Sequence, residues 1–230
     1  MITRFGLLRR DPALSRAEFD AHWQRAHGPL AAQFPGLRSY AQHLVVNDEQ
    51  FGIAHGRGPW QLDGFSELRF DDLDAMKAAV TSPAFAPALQ DERGFLADVH
   101  LVACERHEVV PVALGDGPFI KRMTVLKRLP GMTPEDFRHE WLTVHASWVR
   151  QWPDVLGYVQ NLVVDRWHDS RTQSASYDAV PVDGIVEFWF RDTDTAARLY
   201  ASDLVARTQE HAKVFLDQIT PFFVETRQIV

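Results

Sequence analysis

The sequence has one cysteine among 230 residues, Cys104, which excludes an internal disulfide and any cysteine-rich zinc site. No apolar run approaches the roughly 18 residues that a membrane-spanning helix needs. The first ten residues are too short, and too charged after Leu8, for a secretion signal. We therefore expect no membrane as a partner and a reducing cytoplasm as the compartment.

Positive charge is scarce: the sequence has 24 Lys and Arg but 31 Asp and Glu, which gives a net charge of −7. Neither half of the chain has a basic stripe, so nucleic acid is not expected as a partner. Apolar residues make up 46% and charged residues 24%, which is ordinary for a globular protein. The 7 Trp and 15 Phe indicate a large core, an aromatic-lined pocket, or both.

Motifs that identify a metal or cofactor site are also missing. The sequence contains no His-Glu-x-x-His, no phosphate-binding loop and no Gly-x-Ser-x-Gly elbow. Cys104 and His107 are three residues apart in a predicted strand, so their side chains point in opposite directions. We therefore predict neither a metal site nor a cofactor.

The chain is a repeat of itself. Residues 1–46 align without a gap with residues 119–164, and residues 63–70 align with residues 183–190. The identical pairs include Phe19/Phe137, Trp23/Trp141, His27/His145, Tyr40/Tyr158 and Gln42/Gln160. We predict two units, residues 1–112 and 119–230, joined by a turn-rich linker at residues 113–118.

Each unit follows the order strand, helix, strand, strand, helices, strand. The first helices begin at the capping sequences Ser15-Arg-Ala-Glu18 and Thr133-Pro-Glu-Asp136. This βαββαβ order predicts an α+β, ferredoxin-like unit with a four-stranded antiparallel sheet. Each sheet must bury its open face, so we predict two sheets packed face to face as an intrachain pseudo-dimeric α/β barrel. The long polar loops at residues 47–62 and 165–183 are typical of lids or of disorder.

The segment Lys127–His145 resembles the EthD family of dimeric α/β barrel proteins. Tyr158-Val-Gln-Asn-Leu-Val-Val and Asp183-Gly-Ile-Val-Glu-Phe-Trp-Phe carry the same resemblance, and the first copy repeats it around Trp23 and His27. It covers nearly the whole chain as two tandem units. The resemblance implies the barrel fold but no single reaction, because the wider class includes isomerases, polyketide cyclases, cofactor-free monooxygenases and haem-binding enzymes.

One relative that the chain resembles distantly is 4-methylmuconolactone methylisomerase. Its helix histidine corresponds to His145, and to His27 in the first copy. Its reactive cysteine corresponds to Phe188 or Leu68, neither of which is a nucleophile. The resemblance thus implies a histidine in the site without that particular reaction.

His27 and His145 are the first candidates for acid–base chemistry. Phe19, Trp23 and His27 are spaced i, i+4, i+8 and share a helical face, and the second copy repeats the pattern. An imidazole held between helix and sheet can act as a general base near neutral pH. The alternative is a buried histidine that only hydrogen-bonds a strand carbonyl.

Strand residues supply the other candidates. Tyr40/Tyr158 and Gln42/Gln160 alternate onto one strand face, where they can orient a carbonyl or stabilise an enolate, or else are ordinary sheet residues. Mid-strand Glu67 and Glu187 need partners. Arg4 and Arg122 are the predicted ion-pair partners, and the alternative is a second acid–base group. The predicted catalytic residues are His27, His145, Tyr40 and Tyr158. The predicted substrate-binding residues are Trp23, Trp141, Gln42, Gln160, Glu67, Glu187, Trp189 and His211.

The combined pattern predicts a cofactor-independent enzyme that moves a proton next to a carbonyl, in the isomerase, lyase, dehydratase or cyclase class. Its substrate would be a small apolar oxygenated molecule, such as an aromatic catabolite, a lactone or a polyketide-like compound. One alternative is a haem-binding protein or a cofactor-free oxygenase, and another is a non-enzymatic binding or stress-related module. The chain is expected to act as a monomeric pseudo-dimer or as a homodimer.

Overall fold

Eight antiparallel strands close into one barrel in the computed structural model, which describes residues 1–230. The strands are β1 (Ile2–Arg10), β2 (Ser39–Asn47), β3 (Gly64–Phe70), β4 (Leu96–Val110), β5 (Ile120–Arg128), β6 (Val155–Trp167), β7 (Gly184–Phe190) and β8 (Leu216–Gln228). Around the barrel their order is β1-β3-β2-β8-β5-β7-β6-β4. The predicted fold of two βαββαβ units forming an intrachain α/β barrel is confirmed.

Two seams join the copies. Each copy contributes four adjacent strands, and the edges of the two sheets pair through β2 with β8 and through β4 with β6. An isolated four-stranded sheet would expose unpaired backbone groups along both edges. Closure of the barrel leaves no free edge, which explains what the tandem arrangement achieves within one chain.

The helices pack outside the barrel. They are α1 (Arg16–His22), α2 (Gly28–Ala31), α3 (Leu73–Thr81), α4 (Phe85–Glu92), α5 (Pro134–His139), α6 (Ala146–Val149), α7 (Thr193–Tyr200) and α8 (Asp203–Ala212). One π-helical turn, Trp23–His27, links α1 to α2, and another, Glu140–His145, links α5 to α6. None of the helices combines the length and the apolar character required to cross a membrane.

The sequence explains where the first helices begin. The Ser15 hydroxyl accepts a hydrogen bond from the Glu18 N–H, and the Glu18 carboxylate accepts one from the Ser15 N–H. Thr133 caps α5 in the same way by accepting from the N–H of Asp136. These bonds satisfy backbone donors that have no partner inside the helix.

Strand register decides which side chains face the helices and which face the barrel interior. Phe5 and Met123 belong to the interior core, and they lie opposite Glu67 and Glu187 respectively. Arg122 lies opposite Phe188, which belongs to the core beneath the second copy's helices. The predicted ion pairs of Arg4 with Glu67 and of Arg122 with Glu187 are therefore wrong, because the partners lie on opposite faces of the sheet.

Candidate functional site

The second copy contains a cavity of about 60 Å³ between its helices and its sheet. Its walls include Arg122, Trp141, His145, Tyr158, Phe188 and Tyr200. The equivalent space in the first copy measures about 20 Å³ and is lined by Arg4, Trp23, His27 and Tyr40, among others. The structure thus brings the predicted histidine, tyrosine and tryptophan of each copy together, with more room in the second.

His145 ends the π-helical turn of the second copy and begins a chain of three polar groups. Its Nδ1 lies 3.4 Å from Nδ1 of His211, and Nε2 of His211 lies 3.2 Å from a carboxylate oxygen of Glu140. Such π-helical turns occur frequently at functional sites. His211, predicted to bind substrate, thus contacts His145 and does not line the cavity itself.

The Glu140 carboxylate determines the tautomers of both histidines. As an acceptor, Glu140 requires the proton of a neutral His211 to be on Nε2, which leaves Nδ1 of His211 as an acceptor. His145 must then carry its proton on Nδ1 and keep the lone pair of Nε2 free. Burial, followed by the neighbouring His211 and His55, lowers the pKa of His145 to about 3. His145 is therefore a neutral imidazole at physiological pH.

The first copy has the same positions with different residues. His27 Nδ1 lies 3.0 Å from one oxygen of Asp91, and the other Asp91 oxygen lies 2.9 Å from His22 Nε2. The aligned positions in the second copy are His145, His211 and Glu140 in turn. Burial lowers the pKa of His27, whereas the negative charges of Glu92 and Asp91 oppose that effect. The carboxylate thus contacts the helix histidine directly in the first copy and through a second imidazole in the second.

Arg122 is a buried cation without a counter-ion. Only 3% of the residue is exposed, and neither Nε nor Nη1 has a hydrogen-bond partner. The guanidinium lies 5.1 Å from the ring centre of Phe188 and 4.7 Å from that of Tyr200. Cation–π contacts of this kind stabilise by about 0.5–2 kcal/mol each, so together they offset part of the several kcal/mol lost when a charge is buried. The guanidinium therefore offers free donors to an anionic or oxyanionic ligand.

The matching arginine of the first copy, Arg4, is also buried and its Nη2 has no hydrogen-bond partner, but it shares its cavity with a carboxylate. Arg4 and Glu92 line the same cavity, and Glu92 also pairs with Arg171 at 3.0 Å. Burial lowers the pKa of Arg4 to about 10, and the negative charge of Glu92 opposes that change. The residue aligned with Glu92 in the second copy is Ala212. Only the second cavity therefore holds its arginine without a neighbouring acid.

Gln160 holds the tyrosine and the π-helical turn in place. Its Nε2 donates hydrogen bonds to the Trp141 carbonyl at 2.8 Å and to the Tyr158 hydroxyl oxygen at 2.9 Å. Because that oxygen accepts from the amide, the Tyr158 hydrogen remains available to a ligand. Burial raises the pKa of Tyr158, so the hydroxyl stays protonated. In the first copy, Gln42, Trp23 and Tyr40 repeat this arrangement at the same distances.

Three predicted substrate-binding residues lie on the other face of the sheet. Glu67 contacts His43 at 2.8 Å, and Glu187 contacts Lys121 at 2.6 Å inside the barrel. The Lys121 ammonium lies 4.7 Å from the ring centre of Trp189. The sheet separates Glu67, Glu187 and Trp189 from the cavity around His145, so they form a buried polar network rather than part of its wall.

A loop from the first copy closes the cavity of the second. Within residues 47–62, Ile53 lines the cavity and Phe51 packs edge-on against Phe223 with ring centres 5.3 Å apart. Gln209 fastens the loop by accepting from the Ala54 N–H and donating to the Gly52 carbonyl, at 2.9 and 3.0 Å. The corresponding loop of the second copy reaches the first copy through the Arg171–Glu92 pair. Each long loop therefore contacts the other copy, but of the two only the loop of the first copy contributes a residue to the other copy's cavity.

Sequence reasoning missed several residues of this site. Tyr200 and Glu140 occur in one copy only, so the repeat did not indicate them, and Ile53 reaches the cavity from the other copy. The sequence indicates Arg122 only as an ion-pair partner of Glu187. Arg122 is repeated as Arg4, and the residues next to each arginine in the strand face the barrel interior. This repetition on the opposite, helix-covered face could have indicated a role in the cavity.

Comparisons with known proteins agree with this architecture. A family model described as the EthD domain matches residues 11–99 and 129–219. Among solved structures, an anthrone oxidase-like protein has a TM-score of 0.66 at 11% identity and covers 99% of this chain and 93% of its own. A protein from Fusobacterium nucleatum, proposed to be a monooxygenase, has a TM-score of 0.57 at 8% identity, with coverages of 99% and 93%.

An EthD family protein from Bacillus halodurans is 22% identical over 46% of this chain and 98% of its own, with a TM-score of 0.38. No curated protein gives a significant match to the sequence. At these identities the likeness to solved structures shows the fold alone.

Proposed function

The chain belongs to the EthD family, whose domain it contains twice, and from this premise we propose that it is an enzyme with its working site in the second copy. The proposed reaction removes a proton from a carbon next to a carbonyl in a small, largely apolar substrate. Aromatic catabolites, lactones and polyketide-like compounds are the proposed substrate class, and the products are those of an isomerase, lyase, dehydratase or cyclase. The supporting observation is that Arg122, a buried cation without a counter-ion, lines the same cavity as the neutral His145.

In the proposed mechanism, His145 is the base. Its free Nε2 lone pair takes the proton from carbon, and the electron pair of the broken C–H bond moves onto the carbonyl oxygen as an enolate. The Arg122 guanidinium and the Tyr158 hydroxyl donate hydrogen bonds to that oxygen, where they stabilise the developing negative charge. The proton then returns from His145 to a different atom of the substrate, or to its leaving group.

His211 and Glu140 support the charged form of the base. Once Nε2 of His145 is protonated, the imidazolium donates through Nδ1 to His211, and His211 donates through Nε2 to Glu140. The enolate itself places a negative charge near His145, which raises the pKa of the imidazole. His145 therefore becomes more basic as the enolate charge develops, and the interaction strengthens from the bound substrate to the transition state.

Haem is bound by some enzymes of the wider fold class, and the second cavity does not fit it. The cavity volume of about 60 Å³ is well below the roughly 300–1,000 Å³ of pockets for drug-sized ligands, so the cavity excludes haem and, among the proposed substrates, favours small lactones and single-ring compounds over polyketide-sized ones. The apolar wall around the unpaired guanidinium of Arg122 suits a small oxyanion instead. No step of the proposed reaction is assigned to a haem.

Deuterium exchange tests the proposed reaction directly. The protein is incubated in heavy water with small ketones, lactones and aromatic carbonyl compounds, and mass spectrometry detects deuterium that enters the substrate. Oxygen uptake is recorded in parallel. We expect exchange at the carbon next to the carbonyl without oxygen uptake. Oxygen uptake would favour the cofactor-free oxygenase, and binding without exchange would favour a binding module.

Replacing Arg122 with methionine is expected to lower exchange by about 10- to 150-fold, the equivalent of one hydrogen bond to a charged group. The free energy of unfolding is expected to stay the same or to rise, because an uncompensated buried charge is removed. Denaturant unfolding measures the second effect. Arg4→Met is the matched control and should leave exchange nearly unchanged. If Arg122→Met unfolds much more easily but still exchanges deuterium into the substrate at the normal rate, the role of Arg122 is structural.

The pH dependence of exchange at low substrate concentration should be flat between about pH 5 and about pH 8, because it reports the free enzyme. The pKa of His145 is lowered to about 3, so the base is already deprotonated throughout that range. An exposed histidine would titrate near pH 6.5 instead. A loss of half the rate near that pH would contradict the assignment of a buried, neutral His145 as the base.

A further inference from the structure

Asp98, His100 and His168 converge at the seam between β4 and β6. One ligand atom from each of the three lies within 4.8 Å of the others. The two Asp98 oxygens face different imidazoles, with 2.9 Å to Nε2 of His168 and 3.6 Å to Nδ1 of His100. The two rings stack with centres 4.0 Å apart and planes 6° apart, so one ring has to turn about its side-chain bonds before both lone pairs point at one ion. We propose that these residues form a site for one divalent transition-metal ion of the zinc class.

Strand pairing creates this cluster from distant parts of the chain. Asp98 and His100 are two residues apart on β4 and therefore share a face. His168 directly follows β6, and the pairing of Leu101 with Trp167 brings it alongside. The ligands thus come from both copies, which explains why their sequence spacing contains no metal motif.

The donor set indicates the kind of ion. Two imidazole nitrogens and one carboxylate suit Zn²⁺ and its neighbours, whereas Ca²⁺ and Mg²⁺ prefer oxygen ligands. The carboxylate of Asp169 lies 3.5 Å from Nδ1 of His168, although the Asp169 side chain is 97% exposed and the contact is therefore weak. A carboxylate at that nitrogen holds the proton on Nδ1 and leaves Nε2 for the metal. Three protein ligands leave one position open for water.

The three side chains can be reached from solvent, and an ion bound to them would stabilise the contact between the two copies. The side chains of Asp98, His100 and His168 are 39%, 17% and 29% exposed, so the site is reached from solvent. Asp98 and His168 also line a cavity of about 520 Å³ between the first copy's helices and the loop of the second copy. A metal here would fasten that loop to the first copy and hold the β4–β6 seam closed.

The equivalent seam between β2 and β8 lacks this ligand set. The positions aligned with Asp98 and His100 are Gln218 and Thr220. Thr220 Oγ accepts a hydrogen bond from the Gly58 N–H at 2.9 Å. A direct hydrogen bond therefore fastens the loop at one seam, and the metal triad occupies the same place at the other.

Calorimetric titration of chelator-treated protein with Zn²⁺ tests the proposal, with Mg²⁺ as the comparison ion. We expect one equivalent of Zn²⁺ to bind and the melting temperature to rise, with neither effect from Mg²⁺. His168→Ala and the nearly isosteric Asp98→Asn should each weaken binding at least about tenfold and remove the thermal shift.

His107→Ala is the matched control. His107 is on the same strand and lies 3.6 Å from Glu105, but it has no third ligand, so its removal should leave Zn²⁺ binding intact. Absence of stoichiometric binding, or binding that survives both triad variants, would overturn the proposal. Loss of binding in His211→Ala with no loss in Asp98→Asn would also overturn it, because the ion would then occupy the cavity of the second copy.

Discussion

Replacing His145 with alanine is expected to lower deuterium exchange into the substrate by about 10²–10⁴-fold, the usual contribution of a general base. His145 lines the cavity of the second copy, and its Nδ1 lies 3.4 Å from Nδ1 of His211. Alanine removes the proton acceptor while Arg122 and Tyr158 remain to bind the carbonyl oxygen. Binding of the substrate should therefore survive the loss of turnover.

His27→Ala is the matched control for this variant. His27 occupies the aligned position, but its Nδ1 is held by Asp91 at 3.0 Å and its cavity is about 20 Å³. We expect its exchange rate to stay within a few-fold of the unmodified protein. Circular dichroism and denaturant unfolding show whether either variant loses its fold. Full activity of His145→Ala together with an inactive His27→Ala would move the site to the first copy.

The charges around the two cavities give a physical reason for assigning the reaction to the second copy. Glu92 lines the first cavity and Asp91 contacts its histidine directly, and the negative charge of each disfavours an enolate there. The aligned residues in the second copy are His211 and Ala212, neither of which repels an anion. The nearest acid, Glu140, acts through His211 at 3.2 Å from that imidazole. The second copy therefore keeps a partner for the imidazolium without a carboxylate beside the substrate.

The sequence predicted the architecture and the central residues of the site for the same reason. Trp141 and His145 are spaced so that they share one face of a helix, and the first copy repeats both residues. The helical face that packs on the sheet and the equivalent residues of the other copy could therefore both be inferred. The closure of the barrel followed from sheets that would otherwise expose an apolar face. The division at residues 113–118 stays a prediction, although this segment does lie between the end of β4 and the start of β5.

Contacts that depend on strand register or on the other copy could not be inferred. The choice of partners for Arg122 required knowing that it lies opposite Phe188 and not opposite Glu187. Sequence alone does not give the register of two strands separated by some sixty residues. Ile53 and His168 reach their neighbours across the two seams, so their positions follow from the closed barrel rather than from either repeat.

Replacing Lys121 with methionine is expected to lower the free energy of unfolding by about 3–5 kcal/mol, the usual cost of removing one partner from a buried ion pair. Lys121 Nζ lies 2.6 Å from Glu187 and 3.8 Å from Glu67, and all three side chains are at most 3% exposed. Methionine fills the same space but leaves two carboxylates in the barrel interior. Lys127→Met is the control, because its pair with Asp217 is partly solvated and should cost no more than about 1 kcal/mol.

The cost of Lys121→Met should be largest near neutral pH and should shrink in acid. Burial alone would raise the pKa of Glu67, but His43, Lys121 and Arg69 together hold it well below its usual range. A carboxyl whose pKa is depressed by folding stabilises the native state above its unfolded pKa of about 4.3, and that contribution is lost as the pH falls. Without Lys121 the Glu67 carboxyl takes up a proton more easily, so a fall in pH neutralises the buried charge in the variant. The same fall in pH lowers the free energy of unfolding of the unmodified protein. Denaturant unfolding at about pH 7 and about pH 4 measures both differences, and a cost that is the same at the two values would show that Lys121 contributes through packing rather than through its charge.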